Sequence, residues 1–533
     1  MSTVKILVSD PLAKEGVEIL RSQKNFVIDE VSKLPEADLV ARIKDYDALI
    51  VRSETKVTAR IIAAADKLKV IGRAGVGLDN VDVDAASKKG IVVMNAPAGN
   101  TISTAEHAFS LMLSMARNIP QANISVKQGK WDRKKFMGVE LYGKTLGIVG
   151  LGRIGAAFAK RAQAFEMKVV AFDPFLSQEK AKSLNIEPVS LDELLKRADF
   201  ITIHTPLTEE TRHLINEAAF EKMKAGVRIV NAARGGIIDE KALAKNMASG
   251  KVAAAALDVY ESDAKPPMDS PVLALDNTIT TPHLGASTEE AQVNVSMDIA
   301  RCVSDALLGK GFRNAANVPA MEQEALEAVQ PYINLAQRLG SIQTQLIEEP
   351  LKAVTVKYTG EVAGLDVDVI TRALMKGVFD PILEEHVNYV NSLVIARERG
   401  IKVTEKKTSE ITDFANLINV ELETDKRKYF IMGTLFANKE PRIVKLDKYY
   451  VEAIPDGYML VVSNNDVPGV VGKVGTVLGR HKINIAEMSF GRDRTDGSAI
   501  SLLNVDSDVT AEVIKELKAF DDIREVKKVK VTI

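Results

Sequence analysis

An imidazole, a guanidinium and several carboxylates stand at the ends of strand-like runs in the middle of this chain. His283 lies in Thr281-Pro282-His283-Leu284-Gly285-Ala286. Arg234 lies in Asn231-Ala232-Ala233-Arg234-Gly235-Gly236, and the acids lie in Leu257-Asp258-Val259-Tyr260-Glu261-Ser262-Asp263. An imidazole takes or returns a proton near neutral pH. A guanidinium holds a carboxylate by two parallel hydrogen bonds, and two glycines after it leave room for a substrate. A nearby carboxylate orients the ring and stabilises its protonated form. Taken singly, each has a plain alternative: a loop histidine, a surface ion pair, a loop cap. Taken together, they are what a hydroxyl group needs in order to lose a proton while its carbon loses a hydride.

A hydride acceptor has its own signature. Gly150-Leu151-Gly152-Arg153-Ile154-Gly155 follows the apolar run Thr145–Val149 and opens a helical pattern over 153–163. Gly150 permits the tight turn, Gly152 lets backbone approach a pyrophosphate, and Gly155 lets helix and strand pack closely. The helix start offers free N–H groups and a partial positive charge to the anion. A second strand, 168–173, ends in Asp173, whose carboxylate accepts from ribose hydroxyls and repels a 2′-phosphate, which favours NAD over NADP.

The elements that must position these groups follow from periodicity. Residues 1–97 alternate short apolar runs with amphipathic helical stretches, which implies a parallel sheet covered on both faces. A long helix is expected near 103–117, after which the alternation restarts and runs to about 281. Another long helix follows at about 288–308. Two long helices bracketing the second unit imply that it is inserted into the first, with crossings near residues 100 and 290 and a hinged cleft between them. Residues 309–320 read as a linker and 321–450 as a mixed helix-and-strand unit. The stretch from about 456 reads βαββαβ, the split ferredoxin-like order. The expected class is α/β: two doubly wound parallel-sheet domains, a Rossmann-type nucleotide domain inserted into a flavodoxin-like substrate domain, followed by two α+β regulatory domains. The expected boundaries are 1–98 with 288–315, then 99–287, 316–452 and 453–533.

Composition narrows the classes. The 533 residues are 46% hydrophobic and 27% charged, with 70 Lys+Arg against 72 Asp+Glu. That balance suits several folded domains and speaks against a nucleic-acid binder or a polybasic membrane anchor. Cys302 is the single cysteine, so no internal disulfide is expected, and no metal either. No apolar run approaches the ~18 residues of a membrane span. The first residues run straight into a strand pattern without signal-peptide features, so a cytoplasmic protein is expected.

The motifs at 150–155, 231–236, 257–263 and 282–286 resemble those of the D-2-hydroxyacid dehydrogenase family. More narrowly, Arg73-Ala-Gly-Val-Gly-Leu-Asp-Asn-Val-Asp82, Trp131-Asp-Arg-Lys-Lys-Phe-Met-Gly138 and His283-Leu-Gly-Ala-Ser-Thr288 resemble its phosphoglycerate-oxidising branch in the long form, with an intervening regulatory domain and a C-terminal ACT domain. The resemblance covers the whole chain. It implies oxidation of 3-phospho-D-glycerate with NAD, the first step of the phosphorylated route to L-serine, by a homo-oligomer (dimer or tetramer).

By that resemblance His283 is the acid/base and Arg234 orients the substrate. The acid beside the histidine is Asp263, where the family has Glu, or alternatively Glu261. The NAD contacts are Arg153 and Ile154, Asp173, Thr205, Ala232, Ala233, Arg234, Asp258, His283, Gly285, Ala286 and Val76, the last standing where Thr is often found. The substrate region takes in Arg52, Ser53, Gly75, Val76, Gly77 and Asn100, with Arg133 and Lys135 in a segment that reaches towards a partner subunit. A doubly anionic substrate needs more cations than Arg234, and Arg52, Arg73, Arg133, Lys134 and Lys135 supply a surplus, although a lysine-rich stretch alone reads as solvated surface. In the ACT module, Asn464, Asp466 and Asn484 flank a site for an amino acid, by resemblance L-serine; a dimerisation module that binds nothing is the alternative. Two other functions stay open: a dehydrogenase of 2-hydroxyglutarate, glycerate or lactate, and a non-catalytic NAD(H)-sensing scaffold.

Overall fold

The computed structural model describes residues 3–32, 34–262, 267–383, 386–408, 414–437, 439–493 and 495–531, and every structural statement below concerns these. The first sheet comprises β1 (Val4–Val8), β2 (Phe26–Glu30), β3 (Ala48–Val51), β4 (Val70–Arg73) and β5 (Val92–Asn95) in the order β2-β1-β3-β4-β5. All its pairings are parallel. The strands are short and nearly continuously apolar because both faces are covered. Strand order reverses between β1 and β3, so the crevice at their carboxyl ends, at Ser9-Asp10 and Arg52-Ser53, is where such a sheet takes a ligand.

The second sheet comprises β6 (Thr145–Val149), β7 (Lys168–Phe172), β8 (Glu187–Pro188), β9 (Phe200–Ile203), β10 (Val227–Asn231), β11 (Val252–Leu257) and β12 (Thr278–Thr280). Its order is β12-β11-β10-β9-β6-β7-β8, again all parallel. The two-residue β8 escapes the periodicity because two residues have no period. The reversal falls between β6 and β9, which places Gly150–Gly155 opposite Thr205.

Two long helices join the layers as the alternation predicts. Thr101–Ala116 buries Ala105, Ala108, Phe109 and Met112 against the second sheet. Glu289–Leu307, capped by the Thr288 hydroxyl on Ala291 N, buries Val295, Ile299, Cys302 and Val303 against the first. The chain therefore leaves the first layer and returns to it.

The remaining half holds two further sheets. β13 (Leu351–Gly360), β14 (Lys402–Thr408), β15 (Asn416–Thr424), β16 (Lys428–Phe436), β17 (Glu440–Leu446) and β18 (Tyr449–Ala453) lie in the order β14-β13-β15-β16-β17-β18. The helix Gln323–Leu346 packs on them. β19 (Gly457–Asn465), β20 (Ile485–Asp493), β21 (Ser498–Val505) and β22 (Ile523–Val531) form an antiparallel sheet in the order β20-β21-β19-β22, with helices Val470–Arg480 and Ala511–Lys518, the expected βαββαβ unit. One face of that sheet (Met459, Val461, Ile500, Val529) joins the apolar core of the preceding unit, so the two regulatory layers share a core.

Candidate active site

The glycine loop has the geometry its sequence requires. Gly150 sits at φ +92°, and a side chain there would strike the carbonyl of His204. A Cβ on Gly155 would lie 2.2 Å from the Gly150 carbonyl oxygen, whereas one on Gly152 would meet only open space. The loop is therefore closed on its protein side and open where a pyrophosphate approaches. Asp173 accepts from Leu151 N at 2.8 Å and Phe175 N at 2.9 Å, so it shapes the loop as well as ending β7.

Across the switch point the Thr205 hydroxyl and His204 Nδ1 are buried without a partner. His204 Nε2 pairs with the Thr202 hydroxyl at 2.9 Å, and burial pushes the imidazole down to about 3, so it is neutral. An open backbone cradle facing an orphaned hydroxyl is polar space that a dinucleotide fits.

Three guanidiniums converge in the cleft. A Cβ on Gly75 would lie 2.0 Å from Arg73 Nη1, and one on Gly77 would lie 2.0 Å from Arg234 Nη2. The glycines of Arg73-Ala-Gly-Val-Gly77 thus let two guanidiniums lie flat on the loop. Burial pushes the Arg73 group down to about 10, and the positive neighbours Arg234 and Arg52 push the same way, against the pull of Asp79 and Asp10. Arg73 Nε is buried and unpaired. Arg234, at the end of β10, reaches into the first layer and donates Nε–H to Asp79 at 3.1 Å.

The loop at Arg52 and Thr55, between which Ser53 lies, is held by Asp10, which is 1% exposed. Its carboxylate accepts from Arg52 N at 2.6 Å, Thr55 N at 3.2 Å and the Thr55 hydroxyl at 2.6 Å. Asn80 donates to the carbonyls of Arg52 and Thr55. Asn100, at the crossing, keeps Oδ1 buried without a partner, and the Val76 carbonyl is taken by Asn95.

His283 follows β12 with φ +58°, a left-handed conformation that non-glycine residues avoid unless the surroundings impose it. Asp258 imposes it. Fully buried, its carboxylate accepts from the Thr281 hydroxyl at 2.6 Å, Leu284 N at 2.7 Å and Gly285 N at 2.8 Å. Burial alone would raise Asp258; hydrogen bonds from His107, Thr281 and Leu284 outweigh it and hold the group below the usual carboxylate range. Asp258 was expected at the nicotinamide end. Its carboxylate shapes the histidine loop, with three loop donors and an imidazole around it.

The two glycines after Arg234 also serve differently from expectation. A Cβ on Gly235 would lie 1.6 Å from the Tyr260 carbonyl oxygen, so that space belongs to the neighbouring loop rather than to substrate, while Gly236 adopts φ +79°. Glu261 is bonded to His213, and its backbone N–H is accepted by the buried Glu240 at 2.6 Å. Asp263, the first candidate for the acid beside His283, lies outside the described residues. Ala232 is buried and Ala233 half-buried at the β10 end, and Gly285 and Ala286 continue the histidine loop. Arg153 and Ile154 open the glycine-loop helix. Arg133 and Lys135 stand on an exposed turn beside Trp131.

In the C-terminal unit Asp466 pairs with Arg492 at 2.7 Å, and Asn484 donates to Asp506 at 2.8 Å. Asn464 is fully buried, with Oδ1 unpartnered. Asp10, Asn80, Thr104, His107, His213 and Glu240 were not read from the sequence. Only Asp10, a polar residue ending the first buried strand at a switch point, leaves a trace there.

Comparison with known proteins agrees with this architecture. Residues 109–285 match the D-isomer specific 2-hydroxyacid dehydrogenase NAD binding domain, 328–447 the D-3-phosphoglycerate dehydrogenase intervening domain, and 458–522 the ACT domain. The chain is 47% identical over 522 residues to D-3-phosphoglycerate dehydrogenase of Archaeoglobus fulgidus, covering 98% of each. To the enzyme of that name from Bacillus subtilis it is 43% identical over 523 residues, 98% of this chain and 99% of the relative. Among solved structures, D-lactate dehydrogenase from Aquifex aeolicus complexed with NAD and lactic acid matches 57% of this chain and 96% of its own with TM-score 0.50 and 30% identity. A glyoxylate reductase from Paecilomyes thermophila matches 59% and 98% with TM-score 0.54 and 31% identity.

The fold is thus that of an NAD-dependent dehydrogenase, and NAD is the cofactor its nucleotide domain takes. With its intervening and ACT domains included, the chain belongs to the D-3-phosphoglycerate dehydrogenase family.

Proposed function

We propose that this chain oxidises 3-phospho-D-glycerate to 3-phosphohydroxypyruvate, opening the phosphorylated route to L-serine. The observation that carries this reading is the convergence of Arg52, Arg73 and Arg234 in one crevice. A monoanionic hydroxy acid needs one guanidinium, whereas a carboxylate and a phosphate on one three-carbon chain use all three. NAD accepts the hydride from C2. His283 Nε2 or Nδ1 takes the C2 hydroxyl proton, Arg234 holds the carboxylate against the Gly75–Gly77 backbone, and Arg52, Ser53 and Arg73 face the phosphate. Asn100 lines the rim. Asp263 is our proposed partner for His283, since Glu261 is already held by His213. Purified protein given 3-phosphoglycerate and NAD at alkaline pH should form NADH; no NADH would overturn the proposal.

Supporting a homo-oligomer, an apolar strip stays exposed along 119–142, including Trp131 at 78% and Met137 at 80% exposure. A second copy covering it would bring Arg133 and Lys135 towards a neighbouring cleft. We assign the domains as 1–98 with 288–315, 99–287, 316–452 and 453–533, a division supported by sheet membership. Among the described residues no helix is long and apolar enough to cross a membrane, and we place the enzyme in the cytoplasm. For the ACT module we propose L-serine as effector at Asn464, Asp466 and Asn484, supported by the unpartnered amide oxygen of Asn464. Isothermal titration with L-serine tests it; no heat at millimolar serine contradicts it.

A further inference from the structure

The helix Thr101–Ala116 begins where the chain crosses between the two layers. Asn100, Thr104 and His107 recur along it at i, i+4 and i+7, on one face. That face meets the loop carrying His283. The Thr104 hydroxyl donates to the Gly285 carbonyl at 3.1 Å. His107 Nε2 lies 3.2 Å from Asp258 Oδ1 and 3.3 Å from the Thr281 hydroxyl, with its side chain only 20% exposed. An ionised carboxylate only accepts, so Nε2 bears the proton, shared between Asp258 and Thr281.

Asp258 in turn binds Thr281, Leu284 and Gly285, which flank His283 on both sides. His283 has a left-handed backbone, and these contacts hold the residues on either side of it. Without His107, a fully buried carboxylate would lose one of its four partners at the point where it sets the loop.

We infer that His107 is a positioning residue: through Asp258 and Thr281 it fixes the loop that carries His283 relative to the crossing between the layers, so that seating of the crossover helix and readiness of the acid/base are one event. The inference rests on the reading of His283 as the base. Because His107 acts through Asp258 and Thr281, its effect falls on the proton- and hydride-transfer step rather than on binding. A displacement of about 1 Å at a reacting group costs on the order of a hundredfold.

The test uses the full-length enzyme, 3-phosphoglycerate with and without deuterium at C2, and NAD. His107→Leu should lower kcat by about 10–100-fold, with KM and the NAD dissociation constant within about threefold of wild type. It should also raise the deuterium effect on kcat, because chemistry becomes the slow step. His107→Gln, which keeps an N–H donor of similar reach, should recover most of the loss. Wild-type kcat in His107→Leu overturns the inference, as does equal damage by Leu and Gln to kcat, KM and NAD binding, which marks general structural loss. Should His107→Leu fail to fold, His107→Asn, too short to reach Asp258, carries the test: a raised deuterium effect supports the inference and an unchanged one overturns it. His283→Ala separates the two claims. Full turnover there removes the base itself, whereas an inactive His283→Ala beside a normal His107→Leu removes only this inference.

Discussion

The interdomain cleft and the turn of the ACT module both offer polar side chains to a small charged ligand, but they are prepared differently. In the cleft, Thr205 Oγ1, Asn100 Oδ1 and Arg73 Nε are buried with no partner, and two guanidiniums share a glycine loop. At the ACT turn, Asp466 is paired with Arg492 and Asn484 with Asp506, and only the Asn464 oxygen is left open. A buried polar group without a partner costs about 1–3 kcal/mol, so the cleft holds a standing demand for ligand. The ACT turn is largely satisfied alone, and an effector there must displace pairs already made. The cleft thus leaves three candidate contacts open to a ligand, and the ACT turn one.

Four measurements break or sharpen that contrast. The largest effect belongs to His283→Ala: turnover should drop by about 10²–10⁴-fold while NAD binding, followed by fluorescence, stays intact. Unchanged turnover would remove the histidine loop from the chemistry. Next, Arg73→Gln removes a charged donor worth about 1.5–3 kcal/mol and should raise KM for 3-phosphoglycerate about 10–100-fold. An unaltered KM would mean that Arg73 faces no ligand.

The third effect is on stability and comes from His204. Its folded-state value, about 3, lies below the ~6.5 of an unfolded chain, so the unfolded state binds more protons between those pH values. The stability tied to the neutral ring is complete above pH ~6.5 and is lost at about 1.4 kcal/mol per pH unit as pH falls towards 3. Urea titrations at pH 7 and 5 should show His204→Asn with a shallower acid loss than wild type; equal slopes would place a charge on that ring. The smallest effect is at the ACT turn. The Asp466–Arg492 pair is part-exposed and worth about 0–1 kcal/mol, so Arg492→Ala should tighten L-serine binding by no more than about fivefold. Weaker binding would make Arg492 a ligand rather than a competitor.

What could be read beforehand was what a local pattern encodes. Gly150–Gly155 was legible because strand, turn and helix are contiguous, and Gly150 and Gly155 answer contacts at the adjacent strand end and within that unit while Gly152 leaves open space. Arg234 and His283 were legible because strand ends of an open parallel sheet are where ligands bind. The direction of Asp258 was not, since nothing in Leu257-Asp258-Val259 says whether its carboxylate faces a ligand or the loop 26 residues onward at Leu284. Asp10 acts on a loop more than 40 residues away, and Glu240 holds Glu261 N and Ser270 across a separate helix and strand. Such contacts exist only after the sheet has formed. Gly235 looked like room for substrate because a sequence shows that space is left, not what fills it.

The central claim is that three guanidiniums select a doubly anionic hydroxy acid. Its most direct test is the ratio of kcat/KM for 3-phosphoglycerate to that for D-lactate, in wild type and in Arg73→Gln. The account predicts a wild-type ratio above about 100, falling at least tenfold in the variant while D-lactate activity holds. A wild-type enzyme that oxidises D-lactate as efficiently as 3-phosphoglycerate would contradict it.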